Sequence, residues 1–397
     1  MGKIYNDFDK IELVLDKTEY SIEDYKYILS HIKDEKSKLM FYYKVMFDNT
    51  NDAYYSLNLE KMMYFDSSFF STEDKEMFNY INFMIENNNY NKTIYIVGFP
   101  EDNNSVIWKM LPFIWQKKSG LDVKCIFDDI DINEKYTFWC EKEIEVKSLK
   151  KMFKYKFNKD ALFIIANPNY IHIKSFLINE LAIKEENIFC FYYNGICQRS
   201  IQYFSEPFIK IDNNEILIDG GASDFETTLS FLDFCNWSYE KIWTIEPLLE
   251  QYRLCIQKTK ELDLKNINIK NVGLWKSEEE LYFNVRDYGS SFISEKGDTK
   301  IKVKRIDDLL NGEKATIIKL DIEGAEYEAI EGAYSTISKY NPILMLCVYH
   351  KKNDIFKIAK KVLSINSKYI VFIRHYSYCI NETVMYFVPR KKVIKYD

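Results

Sequence analysis

Acidic side chains at the ends of apolar runs carry most of the chemistry this sequence could do. Ile216-Leu217-Ile218-Asp219-Gly220-Gly221-Ala222 reads as a strand that closes in an acid and two glycines, with a helix expected to begin near Glu226-Thr227. Such a turn can bring backbone amides close to a ligand, and glycine removes the Cβ that would clash with it. One βα unit later, Trp243-Thr244-Ile245-Glu246-Pro247 ends a second strand in a carboxylate able to accept from both hydroxyls of a ribose. Ile317-Ile318-Lys319-Leu320-Asp321-Ile322-Glu323-Gly324-Ala325-Glu326 is a further strand followed by three acids around one glycine. Asp321 and Glu323 then fall at the carboxyl edge of a sheet, where open α/β folds bind ligands. Glu326 has a plainer reading as a helix-start acid favoured by the macrodipole.

Proton transfer near neutral pH suits histidine, and the chain has only four: His31, His172, His350 and His375. Two of them, His350 in Tyr349-His350-Lys351 and His375 in Arg374-His375-Tyr376, fall at expected strand tips. His350 is the first candidate for a general base and His375 the second. The pair Asp321 and Glu323 is an alternative base, or a set of oxygen ligands for a divalent ion; no metal is assigned to them. The eight cysteines form no C-x-x-C pair and most sit in apolar segments, so they read as reduced and buried.

The elements that must hold these residues change along the chain. A length of 397 residues suggests two or three domains. Residues 1–90 read as a helical N-terminal region, with apolar residues at helical spacing in Glu23–Ile32, Ser37–Phe47 and Thr72–Glu86. Residues 91–205 read as a Rossmann-like α/β domain, with strands at Thr93–Val97, Val123–Phe127, Leu162–Ala166 and Ile188–Phe191. Its first turn, Val97-Gly98-Phe99-Pro100, lacks the dinucleotide fingerprint, and Asp128-Asp129 reads as a solvated strand end. Residues 206–397 form the third domain. Seven strands are expected there: Ile216–Asp219, Ile242–Glu246, Ile267–Val272, Ile317–Asp321, Ile343–Val348, Tyr369–Arg374 and Val384–Val388, with a hairpin inserted between Leu281 and Lys304.

The net charge of −6 argues against a dominant phosphate-binding surface, so no nucleic-acid partner is expected. No apolar run approaches the ~20 residues of a membrane helix. The N-terminus MGKIYNDFDK has no apolar signal core, and Asn6 breaks the myristoylation pattern. A cytoplasmic protein is expected.

The ordered motifs IDGGASDFETT, IEP, NVGLW, KLDIEGAEYEAIEGA, VYHKKNDIFKIA and RHYSYCINETVMY resemble the FkbM-type methyltransferases, over about Asn213 to Val388. The resemblance implies the seven-stranded class I methyltransferase fold and S-adenosyl-L-methionine as cofactor. It places Asp219, Gly220, Gly221 and Ala222 on the methionine side, Glu246 and Pro247 at the ribose, and Asp321 and Glu323 facing the methyl group or the acceptor. His350 would lie near the acceptor. It further implies O-methylation of a sugar, glycan or other small-molecule hydroxyl; N-methylation of an amino sugar or amino-acid substituent is the alternative, and a homo-oligomer is compatible with it. One departure is Phe225, where the family usually has glycine. A Phe pressing on the methionine moiety would suit a third reading, a catalytically degenerate module that binds a partner. Asn167-Pro168-Asn169-Tyr170 resembles the N-P-P-Y motif of enzymes that methylate DNA bases, but the second proline is missing, and Pro168 reads as helix-start punctuation.

Overall fold

The computed structural model describes residues 3–62, 92–97, 122–128, 135–137, 143–148, 151–152, 157, 160–165, 170–190, 202–204, 207–284, 292–293, 299–376 and 381–394. The chain divides into two compact units. One joins residues 1–42, 198–374 and 381–397, and the other joins 43–197 with 375–380. Among the described residues, no helix is long and apolar enough to cross a membrane.

Four helices open the chain: α1 (Phe8–Leu15), α2 (Ile22–His31), α3 (Glu35–Thr50) and α4 (Ala53–Lys61). A reciprocal cap starts α2: Ser21 Oγ accepts from Asp24 N, and Asp24 Oδ2 accepts from Ser21 N. The expected helix at Thr72–Glu86 lies outside the described residues.

The second unit is built on a six-stranded sheet of β1 (Thr93–Val97), β2 (Asp122–Asp128), β3 (Lys135–Thr137), β4 (Glu143–Ser148), β5 (Leu162–Ile165) and β6 (Ile188–Cys190), in the order β3-β4-β2-β1-β5-β6. Only β3 runs antiparallel to its neighbour. Helix α5 (Tyr170–Asn179) follows β5, and Tyr95, Phe127, Phe163 and Leu177 meet in the core. β3 and β4 are absent from the sequence reading. Glu143-Ile144-Glu145-Val146-Lys147 alternates charged with apolar residues, which is the signature of a strand with one solvated face rather than an apolar run. The turn after β1 and residues 166–169 lie outside the described residues.

The first unit carries the seven expected strands: β7 (Ile216–Gly220), β8 (Lys241–Ile245), β9 (Ile267–Lys270), β14 (Ile317–Leu320), β15 (Ile343–Cys347), β16 (Tyr369–His375) and β17 (Thr383–Pro389). They pair in the order β16-β17-β15-β14-β7-β8-β9. β9, β8, β7, β14 and β15 run parallel, and β17 is antiparallel to β15. The chain moves outward from β7 through β8 to β9, then returns to β14 on the other side of β7. That reversal creates a switch point at the carboxyl ends of β7 and β14. Helix α6 (Glu226–Phe234) follows β7, and α7 (Leu249–Glu261) follows β8. The expected hairpin is part of a larger insert, a four-stranded sheet of β10 (Gly273–Leu274), β11 (Glu279–Asn284), β12 (Phe292–Ile293) and β13 (Thr299–Lys304). α8 (Ile306–Leu310), α9 (Glu326–Glu331), α10 (Tyr334–Tyr340) and α11 (Asp354–Ile365) complete the unit.

Residues up to Tyr42 belong to the same unit as the seven-stranded sheet. Ile32 bridges Val371 in parallel beside β16, and Ser37 Oγ accepts from Ile373 N at 2.8 Å. Tyr20 stacks on Phe356 of α11, with ring centroids 4.7 Å apart. The reason is physical: β16 is a sheet edge, and such an edge needs cover.

Candidate active site

A cavity opens at the switch point. Gly221, Ser223, Glu246, Pro247, Asp321 and Glu323 supply its strand-tip lining, and Leu248, Val272, Leu274, Phe283, Ile301 and Val303 its apolar lining. The insert supplies that apolar wall through ordinary strand alternation. Ile301 and Val303 of β13 are buried, whereas Lys300 and Lys302, which alternate with them, face solvent.

The turn after β7 is held from within the protein. Gly221 has φ +73°, and a Cβ there would lie 1.8 Å from the carbonyl oxygen of Asp321, so only glycine lets the turns after β7 and β14 touch. The amides of Gly221 and Ala222 donate to Ile245 O at 3.0 and 3.3 Å, and Ser223 N donates to Glu246 Oε2 at 2.9 Å. These amides are therefore engaged inside the protein, not presented to a ligand as the glycine pattern suggests. Asp219 is fully buried; it accepts from Thr228 Oγ1 at 2.7 Å and pairs with Lys319 Nζ at 3.1 Å. Lys319 also donates to Gly220 O at 3.2 Å and Gly221 O at 2.8 Å. Burial alone would lower its pKa, but Asp219 and Asp321 outweigh burial and raise it, so the ammonium stays charged. Of the expected cofactor residues, Gly221, Glu246, Pro247 and Asp321 line the cavity. Asp219, Gly220 and Ala222 lie behind it, where Asp219 anchors the turn.

Glu246 is almost wholly buried and accepts from Ser223 N and Leu248 N, each at 2.9 Å. Burial raises its pKa, against the pull of these two amides and of Lys319. Each oxygen keeps a second lone pair for a ligand hydroxyl.

The acids after β14 gather around His350, which follows β15. His350 Nδ1 lies 3.1 Å from Glu326 Oε1, and Nε2 lies 3.4 Å from Asp321 Oδ1 and 3.5 Å from Glu323 Oε2. Burial would lower the histidine's pKa, but Glu326, Asp321 and Glu323 overcome it and push the value up to about 10. Asp321 would be raised by burial, yet Lys319 and His350 hold it below the usual carboxylate range. Glu323 is pushed up to about 8 by burial, and Asp321 and Glu326 reinforce the rise against His350. Glu323 also has φ +58°, a sparsely populated backbone state for a residue with a Cβ.

Tyr203 OH donates to Asp321 Oδ2 at 2.9 Å, and Tyr349 OH to Oδ1 at 3.1 Å. Tyr349 OH also reaches Glu382 Oε2 at 3.4 Å. His350 is not part of the cavity lining, and both of its ring nitrogens face carboxylates. His375 is buried at the end of β16 and is likewise absent from the lining.

Lys319 and Tyr203 are missing from the sequence reading. Lys319 had a signal, a lone cation inside an apolar strand. Tyr203 had none in a chain with 31 tyrosines. Phe225 takes the backbone state its glycine counterpart would, φ +72°, and its ring is fully buried with Ala222, Cys255, Leu229 and Ile267. It is not part of the cavity lining.

The comparisons agree with this geometry. Residues 219–378 match the family model described as methyltransferase FkbM domain. The structure of a methyltransferase FkbM from Methylobacillus flagellatus superposes with a TM-score of 0.51 at 16% identity, covering 84% of this chain and 97% of that one, a likeness of fold. An rRNA methylase from Streptococcus thermophilus reaches a TM-score of 0.31 at 12% identity over 45% of this chain and 90% of its own, too low to carry an argument. No curated protein matches the chain. The family match at residues 219–378 falls on the sheet and the cavity at its switch point, so this segment is similar to the methyltransferase FkbM domain.

Proposed function

We propose that this cavity binds S-adenosyl-L-methionine and that the protein methylates a hydroxyl of a sugar, glycan or other small molecule. The observation that carries the cofactor assignment is Glu246, a buried carboxylate lining a cavity with apolar walls at the switch point. The residues fit the cofactor. Glu246 would accept from the ribose hydroxyls, Leu248, Val272, Leu274 and Phe283 would enclose the adenine, and Gly221 and Ser223 would border the methionine end. When bound, the cofactor supplies an electrophilic methyl group on a sulfonium.

What this chain adds is position and charge. Asp321 and Glu323 both line the cavity; Asp321, held ionised by Lys319 and His350, can take the proton of an acceptor hydroxyl, whereas Glu323, pushed up to about 8, can do so only above neutral pH. Tyr203 and Tyr349 each donate to one oxygen of Asp321 and hold it in place, and the charge of Lys319 keeps it ionised. His350 spans Asp321, Glu323 and Glu326 and sets their spacing. The carboxylates support a hydroxyl acceptor because its proton must leave during transfer.

Isothermal titration with S-adenosylhomocysteine tests the cofactor assignment. Binding is expected in the wild type, and Glu246→Ala should weaken it by about 1.5–3 kcal/mol, the range for hydrogen bonds to a charged group. Glu246→Gln, which keeps one acceptor oxygen for the turn, should fall between the two. Equal affinity in all three proteins would remove Glu246 from the ribose.

A further inference from the structure

We infer that Asp321, Glu326 and His350 form a binding site for one divalent metal ion, reached from the cavity through Asp321 and Glu323. The inference rests on the donor set and on its unpartnered buried atoms, and does not depend on which acceptor is methylated. One ligand atom from each of the three residues lies within 4.8 Å of the others. Ligands about 2.1–2.2 Å from a shared ion stand at most about 4.4 Å apart, so closing the set needs shifts of a few tenths of an ångström.

Three separate elements bring the donors together. Asp321 follows β14, Glu326 opens α9, and His350 follows β15. Two of these side chains are buried with unmet polar atoms. Glu326 is 1% exposed, and its Oε1 accepts from Ile322 N at 2.8 Å while its Oε2 has no hydrogen-bond partner among the described residues. His350 is 8% exposed at the side chain, and neither ring nitrogen has a partner in hydrogen-bond geometry, although both point among the carboxylates. A buried carboxylate oxygen left without a partner is costly, and a cation on that oxygen would relieve the cost.

The surroundings have the form of a second shell. Tyr203 and Tyr349 each donate to one oxygen of Asp321, and Ile322 N orients Glu326. Glu323 Oε2, 3.5 Å from His350 Nε2, offers a fourth donor from the cavity side. One imidazole with two or three carboxylates and no thiolate in the set suits manganese(II) or magnesium, with water completing the coordination.

The probe is manganese(II) added alone to the full-length, chelator-treated protein and followed by the loss of the free-ion electron paramagnetic resonance signal. S-Adenosylhomocysteine binding is measured by calorimetry on the same samples. One ion per chain is expected, with magnesium in excess competing. Glu326→Gln and His350→Ala should each weaken manganese binding by at least the roughly 10–100-fold that losing a second-shell partner costs, with folding checked by circular dichroism. An undiminished manganese signal in wild-type protein that binds S-adenosylhomocysteine overturns the metal site and leaves the methyltransferase reading intact. Manganese binding that survives in both variants also overturns it, because the ion then sits elsewhere. Manganese binding at this site without any S-adenosylhomocysteine binding supports the metal site and counts against the cofactor pocket instead.

Discussion

At the scale of single residues, Phe225 and Lys319 separate packing from chemistry. Phe225 occupies a glycine's backbone state yet buries its whole ring in the cluster of Ala222 and Cys255. Phe225→Gly relieves a strain of about 1–3 kcal/mol. It also empties a core position, where Phe→Ala alone costs about 3–5 kcal/mol. The expected outcome is a lower unfolding midpoint with S-adenosylhomocysteine affinity nearly unchanged, checked by urea melts and calorimetry. A marked gain in affinity would mean that the ring does obstruct the pocket. Lys319 works in the opposite way. Lys319→Met leaves Asp219 buried beside Thr228 without its cation, and breaking a buried pair from one side costs about 3–5 kcal/mol. Because Lys319 also ties down Gly220 and Gly221, cofactor affinity should drop along with stability. A variant as stable as the wild type would show that the ion pair is not what holds the turn. Both cases mark the limit of reading residues from sequence. The glycine-rich turn and Glu246 were legible, because strand, acid and glycine follow one another along the chain. That Asp219 faces Lys319 and not the cavity was not legible, since their meeting requires β7 to pair with β14 across a hundred residues.

At the scale of elements, most of the seven strands were visible because strands buried on both faces read as near-unbroken apolar runs, whereas β9, Ile267-Asn268-Ile269-Lys270, showed itself by alternation. The inserted sheet was visible only as a hairpin. Its remaining strand, β10, is two residues long, and its pairing with β13 is non-local. The same alternation that hides such strands also gives them two faces with separate duties. Ile301 lines the cavity, whereas Lys302 faces solvent. Ile301→Ala should therefore destabilise the protein by about 2–5 kcal/mol and weaken S-adenosylhomocysteine binding. Lys302→Ala, one residue along the same strand, should change neither by more than about 0.5 kcal/mol. Equal effects of the two substitutions on binding would rule out the insert as the cavity's wall.

At the scale of the molecule, the N-terminal segment and the sheet edge are one construction. Strand β16 carries Arg374 one residue before its end, buried to 8% exposure. Its Nη1 donates to Ser37 Oγ at 2.8 Å and lies 3.3 Å from Asp34 Oδ1, across more than three hundred residues of chain. Asp34 in turn accepts from Ser37 N at 2.9 Å at the start of α3. One carboxylate thus caps a helix and neutralises a buried guanidinium. Nothing in the sequence signals this, because helix spacing near the N-terminus says only that a helix forms and not which edge it covers. Asp34→Ala removes the cap and strands the charge, so a loss of about 3–5 kcal/mol is expected in the unfolding of the seven-stranded unit, the one proposed to bind S-adenosylhomocysteine. That unit's transition is recognisable because saturating ligand, at ~100 times its dissociation constant, should raise its stability by about 2.7 kcal/mol. Deleting residues 1–42 goes further, since it uncovers the backbone groups of β16 beside Ile32 and the apolar face of α11 around Phe356. Exposed edges and apolar faces pair with other copies. Light scattering of the truncated chain should show concentration-dependent association beyond that of the full-length chain. A monodisperse truncated protein that keeps its ligand-sensitive transition would mean that the seven-stranded unit is complete without its N-terminal cover.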